Sequence, residues 1–393
     1  MSRTTSAIVV REPNGAVALE PIILGEIRPD EALVEIHATG VCHTDLLCMK
    51  GKLPAPTPIV LGHEGAGVVV AKGKDLKDIE PGDKVILSYS YCGTCEQCVD
   101  HHEPYCQALL QLNFGGARGD GTSALKLPSN GASGLHGHFF GQSSFSRHAI
   151  VSAASLVKVP PDTPLDLFAP LGCGLQTGAG AVLNTLNVQP GTSLAVFGVG
   201  SVGMSAIMAA RLRSAGHIIA VDMVPARLEL AKKLGATDTI LASEKDVVDR
   251  IKALCPPNGV KYALDCSGNP QAVASMIDAL GTRGRACSVG APAPDVRTSV
   301  NIFAHLINGR EYVGCHQGES LAKEMIPFLI RQHADGKYPL EELITYYNAE
   351  DFKTAFSDTE KGVTIKAVLK WVTYMISESD RQVSRTKIGT YKR

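Results

Sequence analysis

Four cysteines stand at Cys92, Cys95, Cys98 and Cys106, in the run CGTCEQCVDHHEPYC. Thiolates at this spacing can close a tetrahedral cage on Zn2+, and a cage with four protein ligands has no position left for a substrate. An ion held that way orders a loop and does no chemistry. A second, dispersed set could do chemistry: Cys42 in GVCHTD, His63 and Glu64 in GHEGAG, and Cys173 in GCGLQTG. Two thiolates and one imidazole suit Zn2+ and leave a fourth position, where the metal acts as a Lewis acid on an alcohol or carbonyl oxygen. Spacing alone leaves a plainer reading open for each residue. Cysteine is often a small buried filler, and a lone histidine is often a structural donor.

A third constellation concerns a nucleotide. Gly198-Val-Gly200-Ser-Val-Gly203 follows the apolar run LAVF and opens a segment of helical composition, MSAIMAARLRSAG. In that context Gly198 permits a tight turn, Gly200 lets a pyrophosphate approach the backbone, and Gly203 lets the helix pack against the sheet. The helix N-terminus adds partial positive charge for the diphosphate. Asp222 ends the next strand, HIIAVD, where a carboxylate can accept both adenosine ribose hydroxyls and repel a 2′-phosphate. Met223 and Val224 bring no compensating positive charge, so NAD is expected over NADP. Asp222 could also be a turn or cap residue. Arg227, on the following helix, can approach the ribose from the side. Ser267–Gly268 and Val289–Gly290–Ala291 end later strands and are expected to line the nicotinamide half through backbone groups, although glycine there also serves as turn punctuation.

These residues need elements to position them. AIVV, ALVEIHA, GAGVVVAKG and GDKVILSYS read as strands in a β-rich first region. Residues 107–142 lack periodicity and read as a long excursion. Near residue 173 the pattern becomes a repeated β-α alternation, the sign of a parallel, doubly wound sheet. GVTIKAVLKW reads as a late strand, and 375–393 as a polar tail without a core pattern. The expected fold class is therefore α/β with two domains. Residues 1–172 and 314–393 form a β-rich catalytic domain carrying the four-cysteine loop, and 173–313 form a Rossmann NAD-binding domain.

Composition excludes some classes of function. In 393 residues, 38 Lys and Arg stand against 39 Asp and Glu, which implies neither a nucleic-acid groove nor a polybasic membrane patch. No run of about 18 apolar residues reads as a membrane span, and the N-terminus carries no secretory signature. A cytoplasmic chain is expected. Its eleven cysteines then read as ligands or buried fillers rather than disulfides, with Cys255, Cys266, Cys287 and Cys315 in the filler class.

Taken together and in order, GVCHTD, GHEGAG, the four-cysteine loop, GCGLQTG, GVGSVG with its downstream aspartate, and GVTIKAVL resemble the zinc-containing medium-chain alcohol dehydrogenases over about residues 7–372. The resemblance implies a GroES-like β domain joined to a Rossmann domain, NAD as cofactor, and two Zn2+ per subunit. It implies that Cys42, His63 and Cys173 hold a catalytic zinc with Glu64 beside it, and that Cys92, Cys95, Cys98 and Cys106 hold a structural one. Asp45 would accept a hydrogen bond from His63. Thr44 would contact the reacting oxygen and pass its proton outward. His43 and Lys366 would lie near the pyrophosphate, and Thr177 and Val202 on the nicotinamide side. Leu47 departs from the pattern, because many relatives end their proton relay with a histidine there.

CHTDLLC, Ser88-Tyr89-Ser90-Tyr91 and GQSSFSRHAIV resemble the aryl- and benzyl-alcohol dehydrogenases. Reversible oxidation of primary aryl, benzylic or allylic alcohols to aldehydes is expected, with Ser88 leaving room for a ring near the metal. The nearest rival, the glutathione-dependent formaldehyde dehydrogenases, is expected to carry an arginine four residues past the last loop cysteine. Here Leu110 stands there, with Arg118 farther on. A non-catalytic zinc-binding homologue is a rival of another class, and the complete ligand set counts against it. Family members pair through Rossmann domains, so a homodimer or homotetramer is expected, joined through the edge in ACSVGAPAPDVRTSVNIFAHLINGREYVG.

Overall fold

The computed structural model of the chain describes residues 3–128 and 134–371; the polar tail 375–393 lies outside them. The strand Glu31–Gly40 organises the β-rich half. Its apolar residues Ala32, Val34, Ile36 and Ala38 are buried at every second position, the signature of a strand with one face on a core. It pairs antiparallel with Gly65–Lys72, His148–Ser152 and Lys366–Lys370. Lys84–Leu87, Leu156–Lys158 and Ile344–Asn348 complete a seven-stranded sheet. A five-stranded sheet built around Arg3–Val10 and Val17–Leu24 packs beside it.

This pairing sets the site. Glu31–Gly40 runs directly into Val41 and Cys42, while Gly65–Lys72 starts directly after His63 and Glu64. Thr39 pairs with Gly65, so one end of the sheet brings Cys42 and His63 together. Val368 pairs with Gly40, which returns the late strand, and Lys366 with it, to the same end.

The other half is a six-stranded parallel sheet. Its spatial order is Asp238–Leu241, His217–Asp222, Ser193–Phe197, Val260–Asp265, Leu280–Ser288, Glu311–Gly314. Near-continuous burial of Leu194–Phe197 and Ile218–Val221 follows from covering a parallel sheet on both faces. The order reverses between Ser193–Phe197 and Val260–Asp265. Such a switch point opens a crevice at the carboxyl ends of the strands, where ligands bind.

Three segments take forms that local pattern does not report. Val17–Leu24, which carries Pro21, is a strand paired with Arg3–Val10. The run NPQAVASMIDALGTRG is not one helix. Asn269 caps Pro270–Asp278, and the chain then enters the strand Leu280–Ser288. The excursion contains the helix Leu109–Phe114 and a tight turn at Phe139–Gly141. Phe114, Phe139 and Phe140 meet edge to face there, with centroids 4.9–5.7 Å apart. These contacts span some 25 residues, so no local periodicity reports them.

The β-rich core also stores a pH dependence. His148 is buried on its strand, with Nδ1 3.0 Å from Thr5 Oγ1. Burial, reinforced by Arg3, pushes its imidazole down to about 4, with Glu35 opposing. The folded state keeps the ring neutral, whereas the unfolded chain protonates near the ordinary value of about 6.5. Stability is fully present above that pH and falls as pH drops towards 4, by about 2 kcal/mol between pH 7 and 5. Thermal unfolding at the two pH values should show this loss, and His148→Gln should flatten it. An unchanged slope in the variant would assign the loss elsewhere.

Candidate active site

The helix His43–Met49 begins at Cys42, and its third residue, Asp45, is fully buried. One Asp45 oxygen accepts from Cys42 N at 3.1 Å; the other accepts from Gly62 N at 3.1 Å and lies 2.9 Å from His63 Nδ1. A carboxylate on Nδ1 fixes that nitrogen as the donor and leaves Nε2 with a bare lone pair. Nε2 of His63 is buried and has no hydrogen-bond partner. It faces a cluster in which single ligand atoms of Cys42, His63, Glu64 and Cys173 all lie within 4.8 Å of one another. The Cys42 thiol is driven well below its ordinary value, chiefly by the hydrogen bond from Cys173 and then by His63, against its burial. An orphaned imidazole nitrogen facing two sulfurs fits Zn2+, and Cys42, His63 and Cys173 would hold it.

Glu64 and Lys366 form a buried ion pair. Lys366 Nζ lies 2.9 Å from both Glu64 oxygens and donates to Val41 O at 3.1 Å, while Gly174 N donates to Glu64 Oε1 at 3.1 Å. The family resemblance places Lys366 beside a pyrophosphate. Its residue borders the cleft, but its ammonium turns inward to neutralise a carboxylate that burial would otherwise protonate.

Between the two halves lies a cleft of about 930 Å³. Cys42, His43, Thr44 and Cys173 all line it, with His43 at the helix start exposed. Thr177, Val202, Gly198, Gly200, Gly203, Asp222, Arg227, Ser267, Val289, Gly290 and Ala291 all border it. Gly198 has φ +86°, and a Cβ on Gly203 would sit 2.2 Å from Gly198 O. A Cβ on Gly200 would meet nothing within 4 Å, so this glycine faces open space at the N-terminus of Ser201–Leu212. The arrangement fits a dinucleotide whose pyrophosphate sits over that helix end. Asp222 also performs a turn role: its oxygens accept from Val199 N at 2.7 Å and Val224 N at 2.9 Å, which pins the glycine turn to the strand end. A Cβ on Gly290 would lie 2.1 Å from Gly268 N, so close approach of two strand ends, not turn punctuation, requires that glycine.

Ser88 is not part of the cleft wall. Its hydroxyl donates to Gly172 O at 2.7 Å and accepts from Gln176 Nε2 at 2.7 Å, fully buried behind the Cys173 segment. The wall beside the metal ligands is aromatic instead. Phe140 stacks on the His63 ring at 4.5 Å and 27°, Phe114 lies edge-on to Phe140, and Leu47 and Leu53 continue the apolar surface. His316 and Gln317 also border the cleft. Sequence reading missed Phe114, Phe140, Leu53, His316 and Gln317; the doublet Phe139–Phe140 was the one local signal.

The four loop cysteines also meet, with ligand atoms within 4.8 Å of one another. The sulfurs of Cys92 and Cys98 are 3.9 Å apart, those of Cys95 and Cys98 3.5 Å, and those of Cys95 and Cys106 4.0 Å. Zn–S bonds of about 2.3 Å in a tetrahedron place sulfurs about 3.8 Å apart. Cys95 N donates to Cys92 Sγ at 3.3 Å and Cys92 N to Cys106 Sγ at 3.3 Å, bonds that favour thiolates. The set fits a closed structural Zn2+.

Residues 28–161 match the alcohol dehydrogenase GroES-like domain, and 201–331 match the zinc-binding dehydrogenase domain. The chain is 41% identical over 368 residues to geraniol dehydrogenase of Castellaniella defragrans, covering 93% of this chain and 97% of that one. It is 34% identical over 375 residues to S-(hydroxymethyl)glutathione dehydrogenase of Synechocystis sp., covering 94% and 100%. Among solved structures it is similar to an alcohol dehydrogenase zinc-binding domain protein from Burkholderia ambifaria, with a TM-score of 0.92, 44% identity and coverage of 95% and 100%. It is also similar to benzyl alcohol dehydrogenase from Acinetobacter calcoaceticus, with a TM-score of 0.90, 39% identity and coverage of 94% and 100%. Among the described residues, no helix is long and apolar enough to cross a membrane.

Proposed function

The chain belongs to the zinc-binding medium-chain alcohol dehydrogenases, NAD- and zinc-dependent enzymes with a GroES-like and a Rossmann domain, and from that premise we propose that its substrates are primary aryl, benzylic or allylic alcohols. The overall reaction is alcohol plus NAD+ to aldehyde plus NADH and a proton. When bound by Cys42, His63 and Cys173, zinc supplies Lewis-acid chemistry. The protein's own groups do the rest. Asp45 holds the His63 tautomer, the Lys366–Glu64 pair keeps a second carboxylate neutralised, and Thr44 Oγ1 receives the substrate proton. With Leu47 in place of a relay histidine, that proton leaves by water, the cofactor's ribose hydroxyls or exposed His43.

The observation that carries the substrate reading is the aromatic wall. Phe140, buried and stacked on a metal-ligand imidazole, and the more exposed Phe114 beside it border the cleft next to the metal ligands, on the side we assign to the carbinol substituent. A planar ring or a conjugated chain gains affinity there by burial and ring contact. Relatives named for geraniol and benzyl alcohol agree with it. A glutathione adduct would need a cation for its carboxylate. Leu110 is exposed, and Arg118 is engaged by Glu31 through Nε–Oε1 at 2.6 Å and Nη2–Oε2 at 2.7 Å. The test is NADH formation with benzyl alcohol, cinnamyl alcohol, geraniol, ethanol, and formaldehyde with and without glutathione. The expected kcat/KM is at least about tenfold higher on the first three than on ethanol, roughly the worth of 1.4 kcal/mol of added apolar burial. Turnover confined to formaldehyde with glutathione would overturn the reading.

We further propose a symmetric pair joined at the sheet edge. Glu311–Gly314 is an edge strand, and the neighbouring helix Ile302–Asn308 exposes Ile302, Phe303, Leu306 and Ile307 together. An apolar face of that kind beside an unpaired strand is an association surface. Phe303→Glu with Leu306→Glu should halve the mass in solution measured by light scattering, and an unchanged mass would move the interface elsewhere.

A further inference from the structure

After the edge strand Glu311–Gly314, residues Cys315–Ser320 form a strap whose first three residues border the cleft. Gln317, Gly318 and Glu319 have φ of +51°, +68° and +47°, three successive residues in the left-handed region. L-residues visit that region singly and at some expense, so such a run persists only where its surroundings force it. Asn184 Nδ2 donates to Gly318 O and to Glu319 O, each at 3.1 Å. Tyr89 OH donates to Ser320 O at 2.7 Å. From the four-cysteine loop, Tyr105 OH donates to Glu319 Oε1 at 2.9 Å, and Pro104 O lies 2.9 Å from His316 Nδ1. Gly318 is closed in as well: a Cβ there would sit 2.6 Å from Thr177 O.

The forced backbone puts one side chain in a particular place. Gln317 is buried, its Nε2 lies 3.7 Å from Cys173 Sγ, and its Oε1 lies 3.5 Å from Thr177 Oγ1. The sulfur end sets the amide's orientation, because a thiolate only accepts and so calls for the N–H on its side. Thr177 Oγ1 in turn lies 2.9 Å from Cys173 O. One carboxamide and one hydroxyl therefore brace the ligand residue at both its side chain and its carbonyl.

We propose that Gln317 is a positioning residue for the Cys173 ligand. Its N–H donates to Sγ, fixes the direction of the thiolate and draws charge from it, so that the sulfur is a weaker electron donor to a metal held there. Outer hydrogen bonds of this kind tune metal sites. Because Tyr105 and Pro104 pin the strap alongside Asn184 and Tyr89, the folded four-cysteine loop helps to keep the donor in place. The proposal rests on the Cys42, His63 and Cys173 metal site and is independent of which alcohol is oxidised.

The test uses the full chain with Zn2+ kept in the four-cysteine cage and Co2+ placed only at the Cys42, His63 and Cys173 site, so that the thiolate-to-metal charge-transfer band reports the donor strength of those two sulfurs. Gln317→Leu should shift the band to longer wavelength, since an unbonded thiolate gives up charge more easily. Gln317→Asn, one methylene too short to reach Sγ, keeps an amide in the strap and should shift the band the same way; it decides the matter if the leucine variant does not fold. Tyr105→Phe should give a smaller shift in that direction. A band at the parent position in both Gln317 variants would overturn the proposal. A raised KM for NAD alongside the unmoved band would then mean that the side chain serves the cofactor alone. A parent protein that takes up Co2+ without any thiolate band would overturn the metal site itself, an outcome distinct from failure of Gln317.

Discussion

Cys42→Ala and Cys173→Ala should each lower kcat for alcohol oxidation by at least about 10³-fold, equivalent to about 4 kcal/mol of lost transition-state stabilisation, while leaving the folded chain largely intact. The expectation follows from how the site is built. His63 Nε2 is buried without a partner, and its other nitrogen is held by fully buried Asp45, so the imidazole is aimed and left unsatisfied. A group in that condition is destabilising unless an ion completes it. Removing either sulfur leaves two protein ligands, too few for a tetrahedral Zn2+ with one exchangeable position. The strands that lead to Cys42 and His63 do not depend on the metal, because Glu31–Gly40 and Gly65–Lys72 pair from Ala32–Lys72 to Thr39–Gly65, with two register shifts between. Full activity in either variant, measured as NADH formation alongside zinc content, would refute the ligand assignment.

Cys95→Ser should have the opposite profile: loss of the other zinc and a fall in Tm of about 5 °C, which is what a loss of about 4 kcal/mol amounts to in a chain of this length. The loop around Cys92–Cys106 contains only one turn of helix, Glu96–Val99, and a short 3-10 turn, Glu103–Tyr105. Too few apolar residues are buried there to order it without the metal. Residual activity at low temperature should survive, reduced to the extent that Tyr105 and Pro104 stop restraining the Cys315–Ser320 strap. A variant with unchanged Tm and one zinc lost would show that the cage does not hold the loop.

How far residues alone predict such a site depends on the range of the interactions involved. Cys92 to Cys106 fall within one loop, and Gly198 to Asp222 within one β-α-β unit, so their spacing carries their roles. Asp45 and His63 are joined by one hairpin-like pairing and were reached through the order of motifs. The aromatic wall was not legible, because Phe114 and Phe140 are brought together across a segment with no period of its own. Ser88 was misplaced for a related reason. A small polar residue next to a metal loop reads as open space, whereas here its hydroxyl ties the Cys173 segment to the sheet. The Lys366–Glu64 pair joins positions 302 apart, and nothing local in GVTIKAVL says that the lysine turns inward. Gln317 lies in a strap whose left-handed backbone is dictated by Asn184, Tyr89 and Tyr105, all distant in sequence.

The most direct measurement is zinc per chain and NADH-forming activity followed in one preparation as a chelator withdraws the metal. Two zinc ions per chain are expected at the start. Activity should fall in proportion to loss of one of them and return when Zn2+ is restored, while loss of the other lowers Tm. Activity that persists after both ions are gone would contradict a catalytic role for Cys42, His63 and Cys173.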